Sequence, residues 1–593
     1  MIARSTAGLL ACAAIVLAGL AFDLGGYPLL DPDEGRNAEI AREMAATNDY
    51  VLPRLNGLPY LDKPVLYFAA GAAVVEVLGP TELAVRVPSL LFTLATLLVV
   101  AWFADRLWGR ATAWTAAIAT AATPFTLAYA HTVIFDSALT FFVVSALVGF
   151  FMATEGRRPS AAVWCAAAWV AVALGVLTKG PIALAVPLMV VVPYAAWRHR
   201  LRALFDPVGV LLFPALVLPW VLAVSQDVPD FLGYALVTET ARRLTTDELG
   251  RTGPIWYFLA IFPAAALPWS IVLVAGWLER RRARDRRAEA ASPAGTDRRL
   301  VFLALWILVP LLFFSLSQSK RPQYVLPLVP AAGLLVAALW HGVRGRLPGA
   351  RAGAAGLLLI GVGLLIAGKS IPGLVPATPA VAQAIPGTAL ALGLVCIAAG
   401  IAGWVAASRR EVALIALCLP VAAIPFVSRG LMDAIGNDRS AAALAEAVNR
   451  VAGPQTQVVG VHAFPLSLPF YLRRTIVLST ADGSELTSNY LLEHYREWRG
   501  TPGTPLRHPD WWLEALASCE RPRVFVARAD DDATLQTLAR ELPLLAHTRK
   551  YVAYGPCAEA LLAAAPLVAT QRAAPYHPGA DDEREEGEGE ADG

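Results

Sequence analysis

Apolar residues run through the first 430 positions in blocks of about twenty, the length a helix needs to cross a bilayer. About thirteen such blocks can be read, near 6–22, 82–104, 111–130, 134–152, 160–177, 180–196, 207–225, 256–278, 300–317, 322–340, 352–368, 389–407 and 411–427. Val65–Leu78 is apolar too, but it is short and carries Glu76, so it reads as a helix lying in the interface. From Ala442 the pattern changes. Short β-branched runs at Val458–Val461, Thr475–Leu478 and Val524–Val526 alternate with helical stretches such as Ser440–Val451 and Asp532–Glu541. The reading is a polytopic α-helical membrane protein with a small C-terminal α/β domain. Its parts are a membrane domain at 1–429 with an outer loop at 23–81, the α/β domain at 430–565, and an acidic tail at 566–593 too polar to bury a core.

Composition agrees: 56% of the 593 residues are hydrophobic and 16% charged, too apolar for a soluble chain of this length. The net charge of +2 says little; its distribution says more. With Val65–Leu78 kept out of the count, the arginines Arg106, Arg110, Arg157, Arg158, Arg198, Arg200, Arg202, the run from Arg280 to Arg287, Arg344, Arg346, Arg409 and Arg410 all fall in alternate loops. Those loops are expected in the cytoplasm, which puts the outer loop and the α/β domain on the other side. Four cysteines sit in apolar spans. Cys519 and Cys557 lie in the polar C-terminal region and are candidates for a disulfide if that region is outside the cytoplasm. Nothing in the pattern suggests nucleic-acid binding.

The polar stretch Asp31–Tyr67, directly after the first span, is where chemistry is expected. Charges beside a bilayer are costly unless paired or functional. On the expected outer side stand Asp33, Glu34 and Arg36; Asp62 and Lys63; Asp136 at the head of a span; and Glu239, Arg242 and Arg243 with Lys320, Arg321 and Tyr324. Carboxylates and cations on one face suit a site that binds an anion and handles a proton. Each also has a plainer reading. Asp33 suits a helix cap for a helix starting at Glu34, Lys63 a snorkelling lysine, Asp136 an ion pair, and Lys179-Gly180-Pro181 a span opening. His131 and His462 stand alone, so ligand spacing supports no metal, although a divalent ion as cofactor is left open.

The run Asp33-Glu34-Gly35-Arg36, Ala41-Arg42-Glu43-Met44, Pro53, Gly57, Tyr60, Lys63-Pro64 and Tyr67 resembles the first outer loop of the GT-C glycosyltransferases. Within them it is similar to the protein O-mannosyltransferases and, more closely, to the 4-amino-4-deoxy-L-arabinose lipid A transferases. Arg86-Val-Pro-Ser89, Asp136, Thr178-Lys-Gly-Pro181, Glu239 with Arg243, and Ser319-Lys320 before Tyr324-Val-Leu-Pro327 extend the likeness over about 23–340. The resemblance implies an inverting transferase in the inner membrane, using an undecaprenyl-phosphate sugar and lipid A or another periplasmic acceptor. It implies Asp33 and Asp136 as the reacting acids, and Lys63, Arg243 and Tyr324 on the donor phosphate. Glu34, Arg36, Asp62, Glu239 and Lys320 would support them. This chain has Asn37, Asp62 and Thr240 where the aminoarabinose branch commonly has Tyr, Glu and His. Transfer of another sugar to protein or glycan is the nearest alternative, and a lipid-linked sugar transporter the alternative from another class.

Overall fold

A computed structural model describes residues 2–235, 253–285, 297–374 and 377–557. Its first half runs α1 (Ile2–Ala21), α2 (Asp33–Thr47), α3 (Leu66–Leu78), α4 (Glu82–Trp108), α5 (Arg110–Ala121), α6 (Pro124–Ala130), α7 (Asp136–Glu155), α8 (Ser160–Lys179) and α9 (Ile182–Trp197). Among the described residues, nine helices are long and apolar enough to cross a membrane. They fall on nine of the thirteen expected blocks. The other four differ for local reasons. In the first block, the apolar part of α1 is Gly8–Ala21. The block at 111–130 is broken between α5 and α6, where Thr123 caps a new helix that Pro124 opens. In the third, α9 has 16 residues. The block at 256–278 is two helices, Tyr257–Ala265 and Trp269–Ala283, bent by 95° around Pro268.

Between α2 and α3 the chain makes a two-strand hairpin, β1 (Arg54–Leu55) and β2 (Leu58–Pro59). Asn56 and Gly57 both have positive φ, 56° and 77°, the pair that a type I′ turn requires. The Glu43 carboxylate accepts the Gly57 N–H, tying the turn to α2.

The C-terminal part is a six-stranded sheet of β3 (Gln457–Val461), β4 (Val477–Ser479), β5 (Leu506–Arg507), β6 (Arg523–Arg528), β7 (Leu544–His547) and β8 (Tyr551–Cys557). Their spatial order is β5-β4-β3-β6-β8-β7. The first four strands in that order are parallel, with helices in the crossovers. The β3 sequence QVVGV is buried after its first residue, as a central parallel strand must be. The last two strands add an antiparallel hairpin that the sequence pattern did not predict, because β7 is half exposed. Cys519 and Cys557 form a disulfide that ties β8 to the helix Trp511–Ser518.

One continuous core joins this sheet to the outer loop. It runs from Ile40 and Met44 of α2 and Leu55 and Leu58 of the hairpin to Leu444, Leu468, Val524 and Ala553. Each large side chain among them contributes roughly 1.5–3 kcal/mol by leaving water. Asn56 adds direction: its amide bonds both the N–H and the C=O of Ile476, at 2.7 and 2.8 Å. The α/β part is therefore packed on the first outer loop.

Candidate functional site

The site is built around the start of α2. The helix begins at Asp33, one residue earlier than expected, and among the described residues no side chain caps it. Asp33 is therefore not the cap its spacing suggested. Its carboxylate takes a 2.5 Å bond from Arg36 and has Arg321 at 3.9 Å, with 37% of its side chain still open. Arg36 also donates to Thr487 of the α/β part at 2.9 Å. Burial works against the Arg36 charge, but Tyr60, Asp33 and Asp62 together push its pKa up.

Glu34 points the other way. Both its oxygens bond Arg86, at 3.0 and 2.8 Å, and they also accept the N–H groups of Val133 and Leu30. Arg86 is fully buried, and its remaining N–H groups bond the carbonyls of Leu24, Tyr27 and Pro28. This pair nails the start of α2 to α4 and to the turn before α7. Asn37 helps by bonding the Val133 carbonyl. Glu34 thus supports Asp33 from behind and does not line the site.

Asp136 opens α7 and is 1% exposed. Lys179, at the last position of α8, reaches one of its oxygens at 2.5 Å. The other oxygen has no partner among the described residues. The Lys179 ammonium lies 5.9 Å from the Tyr324 ring, and the Tyr324 hydroxyl is 3.4 Å from Ser319. Tyr129 feels the charges of Asp136, Arg321 and Asp33 at once, so both acids lie in its neighbourhood.

Asp62 and Lys63 divide their work. The Lys63 ammonium turns back to the Asp62 carbonyl. The Asp62 carboxylate, 7% exposed, accepts from the Tyr234 hydroxyl, the Ser488 hydroxyl and the N–H groups of Asn489 and Tyr490. It clasps the outer loop to the α/β part and to the segment after the span 201–227. Lys320, expected as a supporting residue of the site, is buried and gives its three N–H bonds to the carbonyls of Phe314, Ser315 and Ser317. It closes the end of the helix Arg298–Leu316, and Arg321 takes the place facing Asp33. Glu239 and Arg243 lie outside the described residues.

The structure therefore brings together Asp33, Arg36, Arg321, Asp136 and Tyr324. To these it adds Lys179, Tyr129 and Thr487, to which the sequence assigned no role in a site. Only Lys179 had a signal, in the Thr178-Lys-Gly-Pro181 motif. Cations clustered beside two carboxylates can hold a phosphate and steady the charge that grows on it as a bond to it breaks.

The family model for dolichyl-phosphate-mannose-protein mannosyltransferase matches residues 28–235. The undecaprenyl phosphate-α-4-amino-4-deoxy-L-arabinose arabinosyl transferase of Aeromonas hydrophila is 34% identical over 319 residues, 52% of this chain and 56% of that protein. Its counterpart from Yersinia enterocolitica is 32% identical over 314 residues, 52% of this chain and 55% of that protein. The chain thus spans about half the length of these curated relatives. A crystal structure of ArnT from Cupriavidus metallidurans bound to undecaprenyl phosphate superposes with a TM-score of 0.79 at 25% identity, covering 93% of this chain and 99% of that one. With the matching motifs of the outer loop, these likenesses make the chain similar to the protein O-mannosyltransferases and aminoarabinose transferases, in the fold of the solved ArnT.

Proposed function

We propose that this chain moves 4-amino-4-deoxy-L-arabinose from undecaprenyl phosphate to lipid A at the periplasmic face of the bacterial inner membrane. The observation that carries this reading is the half-open Asp33 carboxylate, set between Arg36 and Arg321, with the Asp136–Lys179 pair acting on the same Tyr129 side chain. The fold's likeness to a transferase solved with undecaprenyl phosphate supports the choice of donor.

In the proposed reaction the bond from the sugar's anomeric carbon to the phosphate oxygen breaks, and its electron pair leaves with undecaprenyl phosphate. Lys63, Arg243 and Tyr324 bind that phosphate and stabilise its growing charge. The acceptor oxygen attacks the opposite face of the sugar, which inverts the centre. If the acceptor is a hydroxyl, Asp33 takes its proton. If it is a lipid A phosphate, already anionic, no base is needed, and the Asp33 charge stabilises positive charge developing on the sugar. Arg36 and Arg321 fix the Asp33 carboxylate, and Lys179 pairs with the buried Asp136 and holds it in place.

The test is reconstitution of the purified protein in a defined lipid with undecaprenyl-phosphate aminoarabinose and lipid A, read by mass spectrometry. Addition of one aminopentose to lipid A is expected. No transfer from this donor, with transfer from a polyprenyl-phosphate hexose to a peptide or glycan instead, rejects the assignment.

A further inference from the structure

The far end of the bundle carries a second charged site. As an α-helix of twenty residues, α7 runs about 30 Å from Asp136 to Glu155, so Glu155 stands at the opposite membrane surface. Its carboxylate is 15% exposed and gathers three donors: the Tyr194 hydroxyl at 2.8 Å, Arg198 at 2.8 Å and Arg298 at 2.7 Å. Arg198 and Arg298 each spend one N–H on Glu155 among the described residues, and their side chains remain 31% and 56% exposed. Beside them Arg299 is fixed by Asp297 and by the Leu107 carbonyl. Trp197, Arg198, Asp297, Arg298 and Arg299 line a cleft of about 660 Å³.

Arginines that serve only to orient a membrane protein need no common geometry. Here a mostly buried carboxylate turns two guanidiniums from different helices toward one cleft, and a third stands in its wall. Guanidinium N–H forks match phosphate oxygens. The cleft lies at the bilayer edge, marked by Trp197 at 45% exposure, the position aromatic side chains prefer at the headgroup level. Leu201, Phe205 and Leu300 are exposed near its rim in sequence and offer an apolar surface for acyl chains. Basic clefts between spans at this depth are suited to anionic headgroups.

We propose that this cleft binds the phosphodiester headgroup of an anionic phospholipid in the leaflet opposite the transferase site. The proposal rests on the charge arrangement and is independent of the reaction. It is tested by native mass spectrometry of the full-length protein released from nanodiscs of phosphatidylglycerol with phosphatidylcholine, with inorganic phosphate as a separate arm. Retention of phosphatidylglycerol over phosphatidylcholine is expected, falling at least tenfold in an Arg198→Gln/Arg298→Gln double variant and several-fold in Glu155→Gln. Arg409→Gln, another exposed arginine of the same set of loops, is expected to retain lipid as the parent does. Competition between the two lipids on the parent protein decides the matter if the double variant does not fold. Equal retention of both lipids, unchanged retention in the double variant, or displacement of the lipid by millimolar inorganic phosphate overturns the proposal.

Discussion

Replacing Asp62 by alanine removes the acceptor for four donors drawn from two other parts of the chain. Two are backbone N–H groups, of Asn489 and Tyr490, each 3.0 Å from the carboxylate. The others are the hydroxyls of Tyr234 at 2.7 Å and Ser488 at 3.2 Å. A buried donor left unpaired costs about 1–3 kcal/mol. Water entering the space left by the carboxylate recovers part of that, and such losses do not add fully. A loss of about 3 kcal/mol for the whole clasp is therefore expected, or roughly a hundredfold in the opening equilibrium. Asp62→Asn should fall between, because its oxygen still accepts while its NH₂ confronts the N–H groups of the turn. Hydrogen exchange of the purified protein reads this directly. Peptides covering 488–494 should exchange roughly a hundredfold faster in Asp62→Ala, while β6 keeps its protection. Transfer should fall as well, because Thr487, next in the chain, holds Arg36. Unchanged protection at 488–494 in Asp62→Ala would show that the carboxylate is not the clasp.

Three further outcomes follow from the same geometry. Arg86→Met should cost roughly 3–5 kcal/mol, because it strands the buried Glu34 charge; Arg86→Met with Glu34→Leu should regain most of the thermal stability, and a single variant as stable as the parent would refute the pairing. Asp31 is buried against Ser467, which lifts its pKa to about 7, with the Ser467 bonds, Lys550 and Arg439 opposing. Its folded form holds the proton more tightly than the unfolded chain, so stability is greatest below about pH 4, falls as pH rises to about 7, and is flat above. Asp31→Asn should abolish that slope, and a slope kept in full would assign it to another group. Lys63→Ala should lose most turnover at subsaturating donor with exchange protection intact, and Lys63→Arg should recover little, since a planar fork does not replace a compact ammonium; near-normal turnover in Lys63→Ala would remove it from the phosphate grip.

Most of the fold was legible because its determinants are local. The apolar blocks and the strands β3, β4 and β6 each follow from a few neighbouring residues. The parts that were not legible depend on residues far apart in the chain. Asp136 meets Lys179 across 43 positions, and Asp62 meets its α/β partners across more than 420. Charge type and spacing gave no means of telling that Lys320 turns inward to carbonyls while Arg321 turns outward to Asp33. The Asp33 cap failed for a more local reason: the helix starts one residue early, so its carboxylate is free to meet Arg36 one turn on. The hairpin of β7 and β8 gave little signal because its outer strand buries little and lacks alternation.

The claim on which the account rests is that the Asp33 charge serves sugar transfer. Asp33→Asn keeps the size and shape of the side chain and removes the charge. The decisive measurement is the mass spectrum of lipid A from cells lacking any other such transferase, expressing either the parent chain or Asp33→Asn at equal membrane levels. Lipid A carrying an added aminopentose is expected with the parent and almost none with the variant. Unmodified lipid A with the parent, or a variant within a few-fold of it, would contradict the account.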